Sequence, residues 1–227
     1  MKYKKPPWYV MAFAIVGVVI IILAFILEAV NNGGRGRGSS RDGPVTLQSQ
    51  VQMLIDEIDE IEQYFLPINR FSRPGISLGE VNGIVIHNIG NPDTTALQNR
   101  NFFANLAETE DRFASSHFII CLDGSIIQCV PIDEIAYASN HRNDDTISIE
   151  ICHPDETGRF TDESYEAAVR LTAWLCLQFD LTSEDVIRHG DIVATDCPRY
   201  FTANEDAWDT FRADVDRVIA EMQDRLD

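Results

Sequence analysis

Positive charge is what this 227-residue chain has least of: 18 lysines and arginines stand against 36 aspartates and glutamates, a formal net charge of −18. Binding phosphates needs a basic face, so the expectation is no nucleic-acid partner. Cysteine is sparse as well. Cys121, Cys129, Cys152, Cys176 and Cys197 do not form the framework of a disulfide-stapled domain. Cys121 and Cys129 share an expected hairpin but do not face each other in its natural register. Four of the five read as small buried apolar side chains, and the fifth, Cys197, as a metal ligand. No internal repeat occurs.

Charge is missing altogether from residues 9–27 (YVMAFAIVGVVIIILAFIL). A bilayer crossing takes roughly 20 apolar residues, and Trp8 and Tyr9 sit where an interfacial aromatic belt belongs. A secretory signal peptide is the alternative. Its apolar core runs about 7–15 residues before a small-residue cleavage site, and this run is longer with no clear site after it. The reading is therefore a cytoplasmic tail at 1–7 and a membrane anchor at 8–30. Lys2, Lys4 and Lys5 before the span nearly balance Arg35, Arg37 and Arg41 after it. The short tail and Glu28 tip the orientation toward a domain on the outer side.

A flexible Gly-rich linker follows at 31–43. Residues 44–65 read as a helical stalk, with a helix over 45–65 carrying Leu47, Val51, Leu54, Ile55, Ile58 and Ile61 as an apolar stripe. Such a stripe serves a short coiled coil, and so a homodimer, or a helix packed on the domain.

The domain proper is expected at 66–227. Gly83–His87 reads as a buried central strand ending in a histidine. A helix over 95–107 follows, with Ala96, Phe102, Phe103 and Leu106 facing inward. Residues 117–121 and 125–130 flank Asp123-Gly124, the signal of a hairpin with a type I′ turn. Strand 146–152, helix 161–179, the short strand 186–188 and a last helix capped by Asn204 complete the order. Strands interleaved with helices, plus one hairpin, predict an α/β domain: a central mixed β-sheet flanked by helices.

The chemistry starts at Ile187–Pro198. His189 and Cys197 supply imidazole nitrogen and thiolate sulfur, both good zinc ligands. The gap between them suits a loop that leaves a strand and returns past the same point. Two ligands do not make a site. His87, at the end of a buried strand, is placed either to pack or to ligate. With it the set becomes His₂Cys, and a catalytic zinc takes three protein ligands and leaves a fourth position open. Glu150 lies in the apolar strand Ile147–Ile151, where a glutamate faces solvent or serves a site.

Four separated motifs occur in one order: Gly83-Ile84-Val85-Ile86-His87-Asn88; Ser115-Ser116-His117-Phe118-Ile119-Ile120 with Asp123-Gly124; Ile147-Ser148-Ile149-Glu150-Ile151-Cys152-His153-Pro154; and Arg188-His189-Gly190-Asp191 to Asp196-Cys197-Pro198. Together they resemble the type 2 N-acetylmuramoyl-L-alanine amidases, zinc amidases of bacteria and phages related to the animal peptidoglycan recognition proteins. The resemblance covers about 66–220 and neither the span nor the stalk. It implies a central mixed sheet with a surface zinc groove, and Zn2+ held by His87, His189 and Cys197. It implies hydrolysis of the amide between N-acetylmuramic acid and L-alanine of the stem peptide, with Glu150 in catalysis. Peptidoglycan or a muropeptide is then the substrate of a membrane-anchored enzyme.

One position departs from the pattern. Many bacterial members keep a lysine two residues before the cysteine, where it can stabilise the oxyanion. Here it is Thr195, as in the animal branch, and a hydroxyl brings a hydrogen bond without charge. In the phage branch a tyrosine precedes the position of His117; here it is Ser116. His117, His141 and His153 read as structural or surface residues. Relatives that lose the cysteine bind muropeptides without cutting them, which makes a non-catalytic binding module the alternative. A membrane scaffold assembled through helix 45–65 is a third reading.

Overall fold

The computed structural model describes residues 61–224. The expected membrane span, the linker and residues 45–60 of the expected stalk lie outside them. Among the described residues no helix is long and apolar enough to cross a membrane.

Six short strands form one sheet: β1 (Ile61–Gln63), β2 (Ile84–Asn88), β3 (Phe118–Ile120), β4 (Ile126–Gln128), β5 (Ile147–Ile151) and β6 (Val186–Arg188). Their spatial order is β1-β4-β3-β5-β2-β6. Every neighbouring pair is parallel except β3 and β4, so the sheet is mixed as expected. Parallel strands buried on both faces call for unbroken β-branched runs. Ile84-Val85-Ile86 meets that demand, Ile147-Ser148-Ile149 breaks it with one serine, and all six residues are buried.

Helices cover both faces. Alternation sends Ile84, Ile86, Phe118, Ile120, Ile147, Ile149 and Ile151 to one side. There they pack against α2 (Asp162–Phe179) and α5 (Glu205–Asp224) through Ala167, Ala168, Leu171, Leu175, Phe211 and Val215. Fully burying an isoleucine is worth about 1.5–3 kcal/mol, so this layer dominates stability. Ile119 and Ile127 point the other way, toward Ala96, Phe103 and Leu106 of α1 (Ala96–Thr109). Thr95 and Gln98 close a reciprocal capping box at the start of α1.

Four expectations need correction. The helix expected over 45–65 does not reach 65. Ile61–Gln63 instead pair in parallel with Ile126–Gln128 at the sheet edge, because an open edge offers a ladder that a stripe read at helical period does not reveal. The hairpin turn is not type I′. That type needs positive φ at both central residues. Only Gly124 has it, at 82°, while Asp123 Oδ1 accepts from the Ser125 amide. Phe102 is 46% exposed, off the Ala96–Phe103–Leu106 stripe. Asn204 precedes α5, but its amide nitrogen donates to the Tyr200 carbonyl. Among the cysteines, Cys129, Cys152 and Cys176 are buried, while Cys121 is half-buried at the hairpin.

His117 ties these layers together. Its Nδ1 accepts from the Ser148 amide at 3.0 Å, and its Nε2 lies 3.0 Å from the Glu134 carbonyl, which fixes the neutral Nε2–H tautomer. Glu134 in turn holds Arg73 through two contacts of 2.7 Å. Burial lowers the His117 pKa from 6.5 to about 4. Because the folded value lies below the unfolded one, this contribution to stability is complete above about 6.5. It is lost as pH falls toward 4, about 3 kcal/mol in all. Urea melts at pH 7, 5.5 and 4.5 should therefore show stability falling with pH in the parent. In His117→Gln that fall should be shallower, and equal slopes would remove His117 from this role.

Candidate active site

The β2–β5 register sets His87 directly opposite Glu150. On its other side Glu150 pairs with Ile119 of β3. His87 and Glu150 thus point to the face away from the α2–α5 layer, where the sheet end opens into a cleft of about 460 Å³.

The other two residues come from the far edge. β6 ends at Arg188, whose guanidinium binds Asp191 and Glu205 at 2.9 and 2.7 Å and lies 5.3 Å over the Trp208 ring. His189 opens the single-turn helix α3 (His189–Ile192), and the chain then doubles back. The Gly190 amide donates to the Cys197 carbonyl at 2.7 Å, closing the loop on itself. Asn88, next to His87, ties that closure to β2. Its Oδ1 accepts the Arg199 amide at 2.7 Å, and its backbone N–H is turned toward the Cys197 sulfur. A further short helix, α4 (Arg199–Ala203), follows.

The outcome is a cluster in which one potential ligand atom each from His87, His189 and Cys197 lies within 4.8 Å of the others. Cys197 Sγ is 3.7 Å from His87 Nδ1. Nitrogen and sulfur on one tetrahedral zinc stand about 3.6 Å apart, given bond lengths of about 2.1 and 2.3 Å. The residues present therefore fit a zinc ion, both in chemistry and in spacing.

The electrostatics of the two histidines point the same way; those of the metal-free cysteine do not. Burial, with His189 adding to it, pushes His87 down to about 3, and burial also lowers His189. Both imidazoles are thus neutral, as ligation requires. Burial, Glu150 and Asp196 push the Cys197 thiol up to about 12, against the pull of the Asn88 amide. Desolvation raises Glu150 from 4.5 to about 8. Its residue touches the cleft, but Oε2 is sealed and has no hydrogen-bond partner. Keeping a carboxyl there costs on the order of 3 kcal/mol at pH 7, whereas an isoleucine would gain about 2. A group held at such a cost, in a cleft beside three metal-type ligands, is the pattern of a candidate functional site.

Thr195 stands apart. It is exposed on the same loop and does not line the cleft. His117 and His153 are buried among hydrogen bonds elsewhere, and His141 is exposed. The remaining cleft wall went unread in the sequence: Phe103, Phe113, Tyr137, Asn140 and Asn143 all line it. Asn140 and the buried Ser139 approach the two histidines from an irregular stretch with no periodic signal.

The family model described as N-acetylmuramoyl-L-alanine amidase matches residues 77–200, a span that holds every residue of this cluster. The chain belongs to the N-acetylmuramoyl-L-alanine amidase family. Similar members include a probable N-acetylmuramoyl-L-alanine amidase of Bacillus licheniformis, 29% identical over 68% of this chain and 47% of its own length. Another is the amidase BlyA of Bacillus subtilis (strain 168), 27% identical over 70% and 46%. The chain spans about half the length of the curated relatives it matches. Among solved structures, the catalytic domain of XlyA is 25% identical with a TM-score of 0.58, covering 68% of this chain and 98% of that one. The PlyG catalytic domain shares the fold, with a TM-score of 0.59 at 22% identity over 70% and 94%.

The loop closure is sterically exacting. A Cβ on Gly190 would meet Thr202 Cγ2 at 2.9 Å and the Thr195 carbonyl at 3.0 Å. Thr202 cannot swing freely, since its hydroxyl bonds Asp196 at 2.6 Å. Gly190→Ala should therefore cost about 1–3 kcal/mol in urea melts. A variant as stable as the parent would show that the loop gives way.

Proposed function

We propose that this protein is a zinc-dependent N-acetylmuramoyl-L-alanine amidase, cutting the amide between N-acetylmuramic acid and L-alanine of peptidoglycan. The observation that carries this is Glu150, which lines the same cleft as the His87–His189–Cys197 cluster while its Oε2 is sealed and unpartnered. Those three residues would hold the metal. A zinc ion there supplies Lewis acidity toward the scissile carbonyl and acidifies water.

The rest falls to the protein. Glu150 takes the proton of the attacking water and returns it to the amine nitrogen as the C–N bond breaks. The products are the lactyl carboxylate and a free alanine amine. Desolvation suits Glu150 to this exchange, since it brings the carboxyl's proton affinity up toward neutrality. Phe103, Phe113 and Tyr137 give the cleft an apolar wall against which water is excluded and the substrate ordered. Thr195 lies outside the cleft lining, so its uncharged hydroxyl would serve the developing oxyanion only if the loop carried it inward.

The test is mass spectrometry of purified cell wall after digestion. New amino-terminal alanine and intact lactyl groups are expected, and cleavage of any other bond would overturn the reading. Chelation should abolish release and zinc restore it. Cys197→Ala should lose the metal. Glu150→Gln should keep it and drop kcat by about 10²–10⁴. If Glu150→Gln works at the parental rate, the proton carrier is elsewhere. Muropeptide binding without cleavage would favour the binding module.

We further read residues 9–27 as a membrane anchor that keeps the domain on the cell-wall side, and residues 45–60 as the segment that would pair two copies. Light scattering on fragments starting at 44 and at 61 tests the pairing. A dimer for the longer and a monomer for the shorter is expected, and equal masses would discard it.

A further inference from the structure

The turn after Tyr137 supplies no member of the His87–His189–Cys197 cluster, yet it touches it. Asn140 Oδ1 lies 2.6 Å from His189 Nε2, the shortest polar contact that either clustered histidine makes. Asn140 is also one of four non-glycine residues with positive φ among the described residues, at 55°. Asparagine tolerates that conformation better than most residues, though it is not free of strain. The strain is held in place from the side. Asn143 Oδ1 accepts the amides of Ala138 and Ser139 at 3.0 and 2.6 Å, and the Arg142 amide closes back on the Ser139 carbonyl at 3.0 Å. The turn is thus held by its own hydrogen bonds, none of which involves His189.

We propose that Asn140 is a positioning residue for the metal centre: it fixes His189 as the Nε2–H tautomer, so that Nδ1 alone is presented to the ion. The inference rests on the reading of His87, His189 and Cys197 as metal-holding. An imidazole whose Nε2–H donates to a fixed oxygen has its remaining lone pair on Nδ1, and its ring cannot turn. Half-buried His189 sits on a single-turn helix at the end of a three-residue strand, so its backbone alone constrains the ring weakly. Ser139 Oγ approaches His87 Nε2 at 3.5 Å, a much looser contact. Buried in β2, His87 needs such help less.

Two substitutions separate the oxygen from the backbone. Asn140→Gly removes the acceptor while suiting a positive φ better than asparagine does. Asn140→Asp keeps the acceptor. Asn140 is exposed, so neither removes core packing. The measurement is Zn2+ and Co2+ affinity of the full chain, by competition with a chromogenic chelator, alongside thermal melts of the metal-free proteins. The parent should bind one ion. Asn140→Gly should bind about 10–100-fold more weakly, with an unchanged metal-free melt, and Asn140→Asp should bind at least as tightly as the parent. A residue present only for its left-handed backbone would give the opposite order, with glycine at least equal to the parent. That result, or equal affinities throughout, overturns the inference while leaving the metal site intact. A parent that takes up no ion overturns both this inference and the zinc reading beneath it.

Discussion

The pairing of β2 with β5 is the constraint on which the rest depends. Two parallel strands in register, His87 opposite Glu150, put an imidazole and a carboxyl on one face while their neighbours fill the opposite core. A slip of one residue in either strand would turn its polar group into the isoleucine layer. That layer makes such a slip prohibitive, since it would expose several isoleucines worth about 1.5–3 kcal/mol each and bury polar groups in their place. The hydrophobic core and the candidate site are therefore one decision, taken on two faces of the same strands.

What the core fixes, the edge completes. β6 contributes little area, yet it delivers His189 and begins the loop that brings back Cys197. Rigidity there comes from hydrogen bonds rather than burial: Gly190 to Cys197, Arg199 to Asn88, and Arg188 to two carboxylates. The division follows the physics. Ligands must reach a cleft open to substrate, so they cannot all be sealed within a core, and polar contacts replace packing where the chain meets solvent. Buried His87 makes only long side-chain contacts, and half-buried Glu150 keeps an unpartnered Oε2.

The parts of this design written in periodic residues were legible in advance. β-Branched runs marked the central strands, helical stripes marked α2 and α5, and the Asp-Gly pair marked the hairpin. His87, His189 and Cys197 stood at strand ends and in a returning loop, and the structure brings them together. Elsewhere the signal was ambiguous or absent. Ile61 fits a helical stripe and an edge strand alike, and only the open edge of β4 decides. The turn at Asp123-Gly124 depends on φ angles that several turn types share. Asn140 and Asn143 sit in a stretch with no period, and their roles exist only once His189 has arrived from 49 residues away. Thr195 occupies an expected place in the chain, yet it does not line the cleft.

The clasp between Gly190 and Cys197 has a wider consequence. Because it joins the two ends of the loop at its base, the spacing of His189 and Cys197 is set there and not along the tip. The tip residues Val193, Ala194 and Thr195 are half-buried or exposed. Side chains there can change without moving the ligands, because the clasp is made by backbone groups.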